Sequence, residues 1–142
     1  MGRVKPSFPG PHVLAVLLVL VGCYWSRYPQ LMETHLTLLD EFAAKLDDVA
    51  RGERGVRLEV LPEFVYPLER AQDFSRIAAR RFPDRASLRA FRVVLQRYGA
   101  LVDDPAYLLQ PDAVVQIEKR RVALAEAIEV TRADLAREQA SE

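Results

Sequence analysis

An all-α fold, an up-and-down bundle of about four helices, is what this sequence of 142 residues predicts, and three observations point to it. Long stretches between prolines carry apolar residues at alternating spacings of three and four, the signature of helices with one core-facing side. Only one short segment, near 56–61, alternates with period two. Half of the chain is hydrophobic and 28% is charged, the composition and length of one globular domain.

The first helix is expected from about Pro29 to Arg51. Met32, Leu36, Leu39, Ala43, Leu46 and Ala50 form its stripe, and Leu38, Phe42 and Val49 widen it. Gly52 is placed to end it as a cap. From Val56 to Leu61, Val56, Leu58 and Val60 alternate with Arg57 and Glu59, which predicts an extended strap; a lone strand has no partner for a sheet. Pro62 and Pro67 bracket Glu63-Phe64-Val65-Tyr66, which is expected to plug the bundle end. The second helix is expected to begin at Pro67, suited to a first turn, and to reach about Phe82. Its stripe is Leu68, Ala71, Phe74, Ile77, Ala78 and Phe82.

The third helix spans about Asp84 to Val102, with Asp84 as N-cap and Leu88, Phe91, Val94, Leu95, Tyr98 and Leu101 inward. Gly99 weakens its last turn or lets a neighbour approach. Asp103-Asp104-Pro105 is a turn. The fourth helix starts near Asp112 and runs to about Arg137. Val114, Ile117, Leu124, Ile128 and Leu135 share a face, with Val115, Val122 and Ala125 beside them. Arg121 and Thr131 interrupt that face. The helix has no Gly or Pro and is long enough to outreach the bundle, and the last residues are expected to fray. No repeat or low-complexity tract occurs.

Several classes of chemistry find no support in the residues. Lys plus Arg and Asp plus Glu number 20 each, so the formal net charge is zero, which argues against a nucleic-acid binder. One cysteine leaves no disulfide framework and no multi-cysteine zinc site. The two histidines are His12 and His35. His35 lacks the Glu-x-x-His spacing of di-iron bundles and reads as a boundary residue of the first helix. Nucleophile-elbow, zinc-protease and phosphate-loop motifs are absent. Gly52-Glu53-Arg54-Gly55 matches the KH-domain GXXG in letters only. Asp47-Asp48 and Asp103-Asp104 lack calcium-loop spacing. No metal, cofactor or catalytic residue is therefore expected, and an interaction or structural role is favoured over an enzyme.

Charge is unevenly spread. Residues 69–97 carry eight arginines against Glu69, Asp73 and Asp84, net +5, whereas residues 31–53 are net −4. Interhelical ion pairs account for such faces at about 0–1 kcal/mol each. The functional alternative is that Arg76, Arg80, Arg81 and Arg85 meet anionic lipid headgroups, envelope polysaccharide or an acidic partner. Arginine outnumbers lysine 17 to 3; arginine suits bidentate contacts with phosphate or carboxylate, and a GC-rich genome produces the same bias.

The N-terminus reads as an address. Arg3 and Lys5 precede the unbroken apolar run Val13 to Val21, which ends at Gly22 and Cys23. A basic segment, nine apolar residues and a small residue fit a secretory signal peptide; a membrane span needs about 20 apolar residues. Leu20-Val21-Gly22-Cys23 resembles the lipobox of bacterial lipoproteins, a resemblance confined to residues 1–23. It implies a diacylglyceryl thioether on Cys23, cleavage by signal peptidase II after Gly22, and acylation of the new amino group. Several acyl chains anchor firmly, since each buried CH2 contributes about 0.8 kcal/mol. The chain's single cysteine stands where that chemistry needs it. The proline-containing stretch ahead of the apolar run departs from the usual pattern.

The expected organisation is a signal peptide over 1–22, a tether over 23–30 and a bundle domain over 31–142. The expected location is the bacterial cell envelope, facing the periplasm. By the same resemblance, the lack of Asp at position 24 favours the outer membrane in a Gram-negative cell. The alternative is a single-pass accessory subunit of a membrane complex, with Pro11 to Tyr28 as an uncleaved span and Tyr24, Trp25 and Tyr28 as its interfacial belt. In either case Arg3 and Lys5 stay cytoplasmic and the remainder is exported.

Overall fold

The computed structural model describes residue 2, residues 10–16 and residues 27–142. Residues 11–16 are helical, with Val13, Leu14 and Val16 exposed. Helix α1 runs over Tyr28–Arg51. Pro29 serves its first turn, where the missing N–H costs nothing. Tyr28, Met32, Leu36, Leu39, Ala43 and Leu46 are buried, as the spacing predicts. Leu38 and Val49 are instead exposed, because they lie to the side of that stripe, and Ala50 is half-buried. Tyr28 is fully buried, so α1 packs on the core from its first residue. The Gly52 amide closes α1 on the carbonyls of Asp48 and Val49. Its φ is −66°, and the left-handed residue of this connection is Gly55, where φ is +59°.

The strap and the start of the second helix differ from expectation. Arg57 is extended, but Leu58–Val60 form a 3-10 turn and helix α2 spans Leu61–Arg81. Leu58 points to solvent while Val56 and Val60 pack on the core, so the alternation does not mark one face. Pro62 takes the first-turn position assigned to Pro67, and Pro67 lies buried within α2. A proline inside a helix sacrifices one backbone hydrogen bond. The gain is visible in the stripe: Leu61 and Phe64 continue the burial of Leu68, Ala71, Phe74 and Ala78 back by two turns. Glu63-Phe64-Val65-Tyr66 is thus helix, not a plug. Ile77 is exposed, on the side of α2 that carries Tyr66 and Arg70.

Helix α3 covers Ala86–Val102 and buries Leu88, Phe91, Val94, Tyr98 and Leu101. A 3-10 turn over Pro105–Leu109 follows, capped by Asp104 Oδ1 accepting from the Ala106 amide at 3.1 Å. Helix α4 covers Ala113–Ala140. At about 1.5 Å per residue it is roughly 42 Å long against about 26 Å for α3. It buries Ile117, Leu124, Ala127, Ile128 and Leu135, whereas Val115, Val122 and Ala125 are exposed. The two interruptions have explicit roles. Thr131 is buried and donates to the Ala127 carbonyl at 2.8 Å, and Arg121 pairs with Asp47 of α1 at 2.7 Å.

The helices alternate in direction, and each packs against its two neighbours in the order α1, α2, α3, α4 and back to α1. The core between them carries an aromatic cluster. Phe74 meets Phe91 edge-on with centroids 5.8 Å apart, and Tyr28 lies 5.1 Å from Phe82. No helix among the described residues is long and apolar enough to cross a membrane.

Candidate functional site

The end of the bundle that holds the start of α1, the α2–α3 connection and the end of α4 carries the densest polar structure. Ser87, in the first turn of α3, is fully buried. Its amide donates to Glu138 Oε1 at 2.9 Å and its hydroxyl to Glu138 Oε2 at 2.5 Å. Tyr28 Oη lies 2.9 Å from the same hydroxyl. A carboxylate from α4 therefore caps α3, where local sequence suggests Asp84. The position before α3 is Arg85, and it makes no side-chain cap bond. Arg85 stacks over the rings of Phe82 and Tyr28 and pairs with Glu142 at 2.8 Å. The end of α4 is thus engaged on Ser87 through Glu138, and the last residue, Glu142, expected to fray, is held by Arg85. Burial raises the Tyr28 phenol above its ordinary value, so it stays a neutral hydrogen-bonding partner at physiological pH.

The four arginines singled out in the sequence divide. Arg76 is paired with Asp73 at 2.6 Å, one turn away on its own helix. Arg85 is the stacked and paired residue just described. Arg80 and Arg81 are exposed and take part in no ion pair among the described residues. Arg27 and Arg89 are exposed at the same end, Arg89 bonded to the Asp84 carbonyl. Arg27 and Arg89 were not picked out in the sequence, because only the antiparallel fold brings 27, 80–89 and 137–142 together. The lipobox residues Leu20, Val21, Gly22 and Cys23, with Tyr24 and Trp25, lie outside the described residues.

A second charged group joins α1 to α4. Asp47, nearly buried, accepts from Arg51 at 2.9 Å and from Arg121 at 2.7 Å, and Arg51 reaches Glu118 at 3.7 Å. Arg132 grips Glu33 with two nitrogens at 2.9 and 2.7 Å. These contacts set the register of the two helices. The adjacent acids thus separate, with Asp47 facing α4 and Asp48 facing solvent.

His35 sits at the edge of the core, 4.8 Å from the Phe74 ring. Burial, helped by the positive charge of Arg70, holds its imidazole below the ordinary 6.5. The native state therefore disfavours the protonated form. Stability is full above the unfolded value and is lost as pH falls through it toward the lowered native one. We expect the urea midpoint to drop between pH of about 7.5 and about 5.5, and His35→Gln to flatten that drop. An unchanged slope in the variant would show that other groups carry it.

The surface hollows are shallow. One lies between α3 and α4, lined by Ala90, Val93, Ala123, Ala127 and Val130 with Arg97 and Glu126 beside them. Another lies where α3 meets the loop before α4, lined by Gln72, Arg92, Gln96, Asp103 and Arg120. Val115, Val122 and Val130 on α4, and Leu58 and Tyr66 near the start of α2, are exposed. Among the described residues no group of three or more His, Cys, Asp or Glu is arranged to hold a metal ion. Comparison with protein-family models, with curated proteins and with solved structures finds no match for this chain.

Proposed function

We propose that this chain is a membrane-tethered lipoprotein whose helical bundle faces the periplasm and serves a structural or protein-interaction role. The observation that carries the reading is the lipobox-like Leu20-Val21-Gly22-Cys23, set directly behind a nine-residue apolar run and supplying the sole cysteine. In this reading Cys23 bears the acyl chains and residues 1–22 are removed. Tyr24, in place of Asp, directs the product to the outer membrane of a Gram-negative cell. The position of the bundle supports it. Among the described residues its first buried side chain is Tyr28, five positions after Cys23 in the sequence. An interaction role fits the surface better than catalysis does, since the hollows are shallow and the buried polar groups are spent on holding helices together.

The test is the intact mass of protein extracted from membranes of the native host. The expected species begins at Cys23 and carries acyl mass. Cys23→Ala is expected to retain residues 1–22 and to lack that mass, because acylation precedes cleavage in this class. A full-length unmodified wild-type chain in the membrane would defeat the proposal and favour a single-pass accessory subunit. An unmodified soluble chain would defeat both.

A further inference from the structure

The charges of the bundle are sorted along its axis. At the end that holds the start of α1, Arg27, Arg80, Arg81, Arg85, Arg89 and Arg137 stand against Asp84, Asp134, Glu138 and Glu142, a net charge of +2. At the opposite end, residues 47–63 and 103–112 together carry a net charge of −5. Three of the four acids at the positive end are already engaged, Asp134 by Arg137, Glu138 by Ser87 and Glu142 by Arg85. Arg27, Arg80 and Arg81 remain exposed and outside every ion pair among the described residues.

The position of this end relative to Cys23 follows from covalent geometry. Cys23 precedes Arg27 by four residues, which span at most about 14 Å fully extended. A bilayer holding an acylated Cys23 therefore lies within about two Debye lengths of the positive end at physiological salt. The tether also removes most of the entropic cost of association, because docking becomes an intramolecular step. Guanidinium groups match phosphate geometry with paired N–H donors.

We propose that this end of the bundle docks on anionic phospholipid headgroups, with Arg27, Arg80 and Arg81 meeting lipid phosphates and the acidic end directed away from the bilayer. The proposal rests on the membrane-tethered reading and adds an orientation and a lipid preference to it. The proposed contact set differs from the four arginines of the sequence, since Arg76 and Arg85 already have partners.

The test uses the full chain purified from host membranes and reconstituted into phosphatidylcholine vesicles with or without phosphatidylglycerol. A fluorophore on Pro83→Cys, in the exposed α2–α3 connection, reports proximity to a quencher on the lipid headgroups. Quenching is expected to be stronger with phosphatidylglycerol and to fade in about 0.5 M salt. Arg80→Glu combined with Arg81→Glu is expected to lower the docked-to-undocked ratio by about tenfold or more. The same charge change on the side of α3, Arg92→Glu with Arg97→Glu, is expected to leave the ratio within about twofold, because those residues lie more than a turn from the end. Equal quenching on both vesicles, or equal losses in the two double variants, would overturn the docking. The tether is read separately, since an acylated Cys23 does not react with maleimide. A reactive thiol in the wild-type chain would overturn the acylated tether alone, and the same charge comparison on a Cys23→Ser background would then decide the docking.

Discussion

Phe91→Ala should destabilise the bundle by about 3–5 kcal/mol, the usual loss for deleting a buried aromatic ring. Phe91 is fully buried at the middle of α3. Its ring meets Phe74 of α2 edge-on at 5.8 Å and faces His35 of α1 at 6.3 Å. Removal therefore opens a cavity where three helices meet and forfeits an aromatic pairing worth about 0.5–1.5 kcal/mol beyond its buried area. Domains of this size are stable by about 5–15 kcal/mol, so the variant should lie close to its unfolding threshold. Urea unfolding followed by helical circular dichroism measures the shift. Val93→Ala, two residues away on an exposed side of the same helix, should stay within about 0.5 kcal/mol. A loss below about 1 kcal/mol in Phe91→Ala would mean that the core collapses around the ring rather than packing on it.

Glu138→Ala should cost about 2–3 kcal/mol, although the residue lies in the last turns of the final helix. Its carboxylate accepts from both the amide and the hydroxyl of Ser87, and that hydroxyl is shared with Tyr28. Truncation leaves the first turn of α3 without its cap and a buried hydroxyl without its acceptor. Glu138→Gln should lose less, because the amide oxygen still accepts from the Ser87 amide. A double-mutant cycle with Ser87→Ala should show a coupling of at least about 1 kcal/mol. Additive losses would indicate that the two side chains act independently.

The sequence was a good guide wherever one helix face decided the outcome. Most of the α1 and α3 stripes is buried, in Met32, Leu36, Leu39, Leu46, Leu88, Phe91, Val94 and Tyr98, since a helix that must bury one side has few ways to do so. It misled where two local rules competed. Pro67 reads as a helix start, and so does Pro62; only the burial of Leu61 and Phe64 against neighbouring helices decides between them. The alternation at 56–60 has period two, yet with no strand among the described residues to pair with, the backbone closes on itself in a 3-10 turn. The cap of α3 was beyond local reading altogether, because its donor and acceptor lie 51 residues apart. The same holds for the polar end of the bundle. Its arginines come from the start of α1, the α2–α3 connection and the end of α4, and only the antiparallel topology gathers them. The adjacent Asp47 and Asp48 were legible as charged, but which of them meets Arg121 depends on the register between α1 and α4.

That register has a mechanical consequence. A pull applied at Arg27 along the bundle axis strains α1 against the antiparallel α4. The Glu33–Arg132, Asp47–Arg121 and Arg51–Glu118 contacts then lie side by side across the sliding interface. They must yield together rather than one after another, as the teeth of a zipper would. Tyr28, the first residue to feel the pull, also bears on α3 through Ser87 and, by way of Glu138, on the far end of α4. Tension on the N-terminus is therefore divided among three helices at its point of entry, and the bundle resists being drawn out by its first helix.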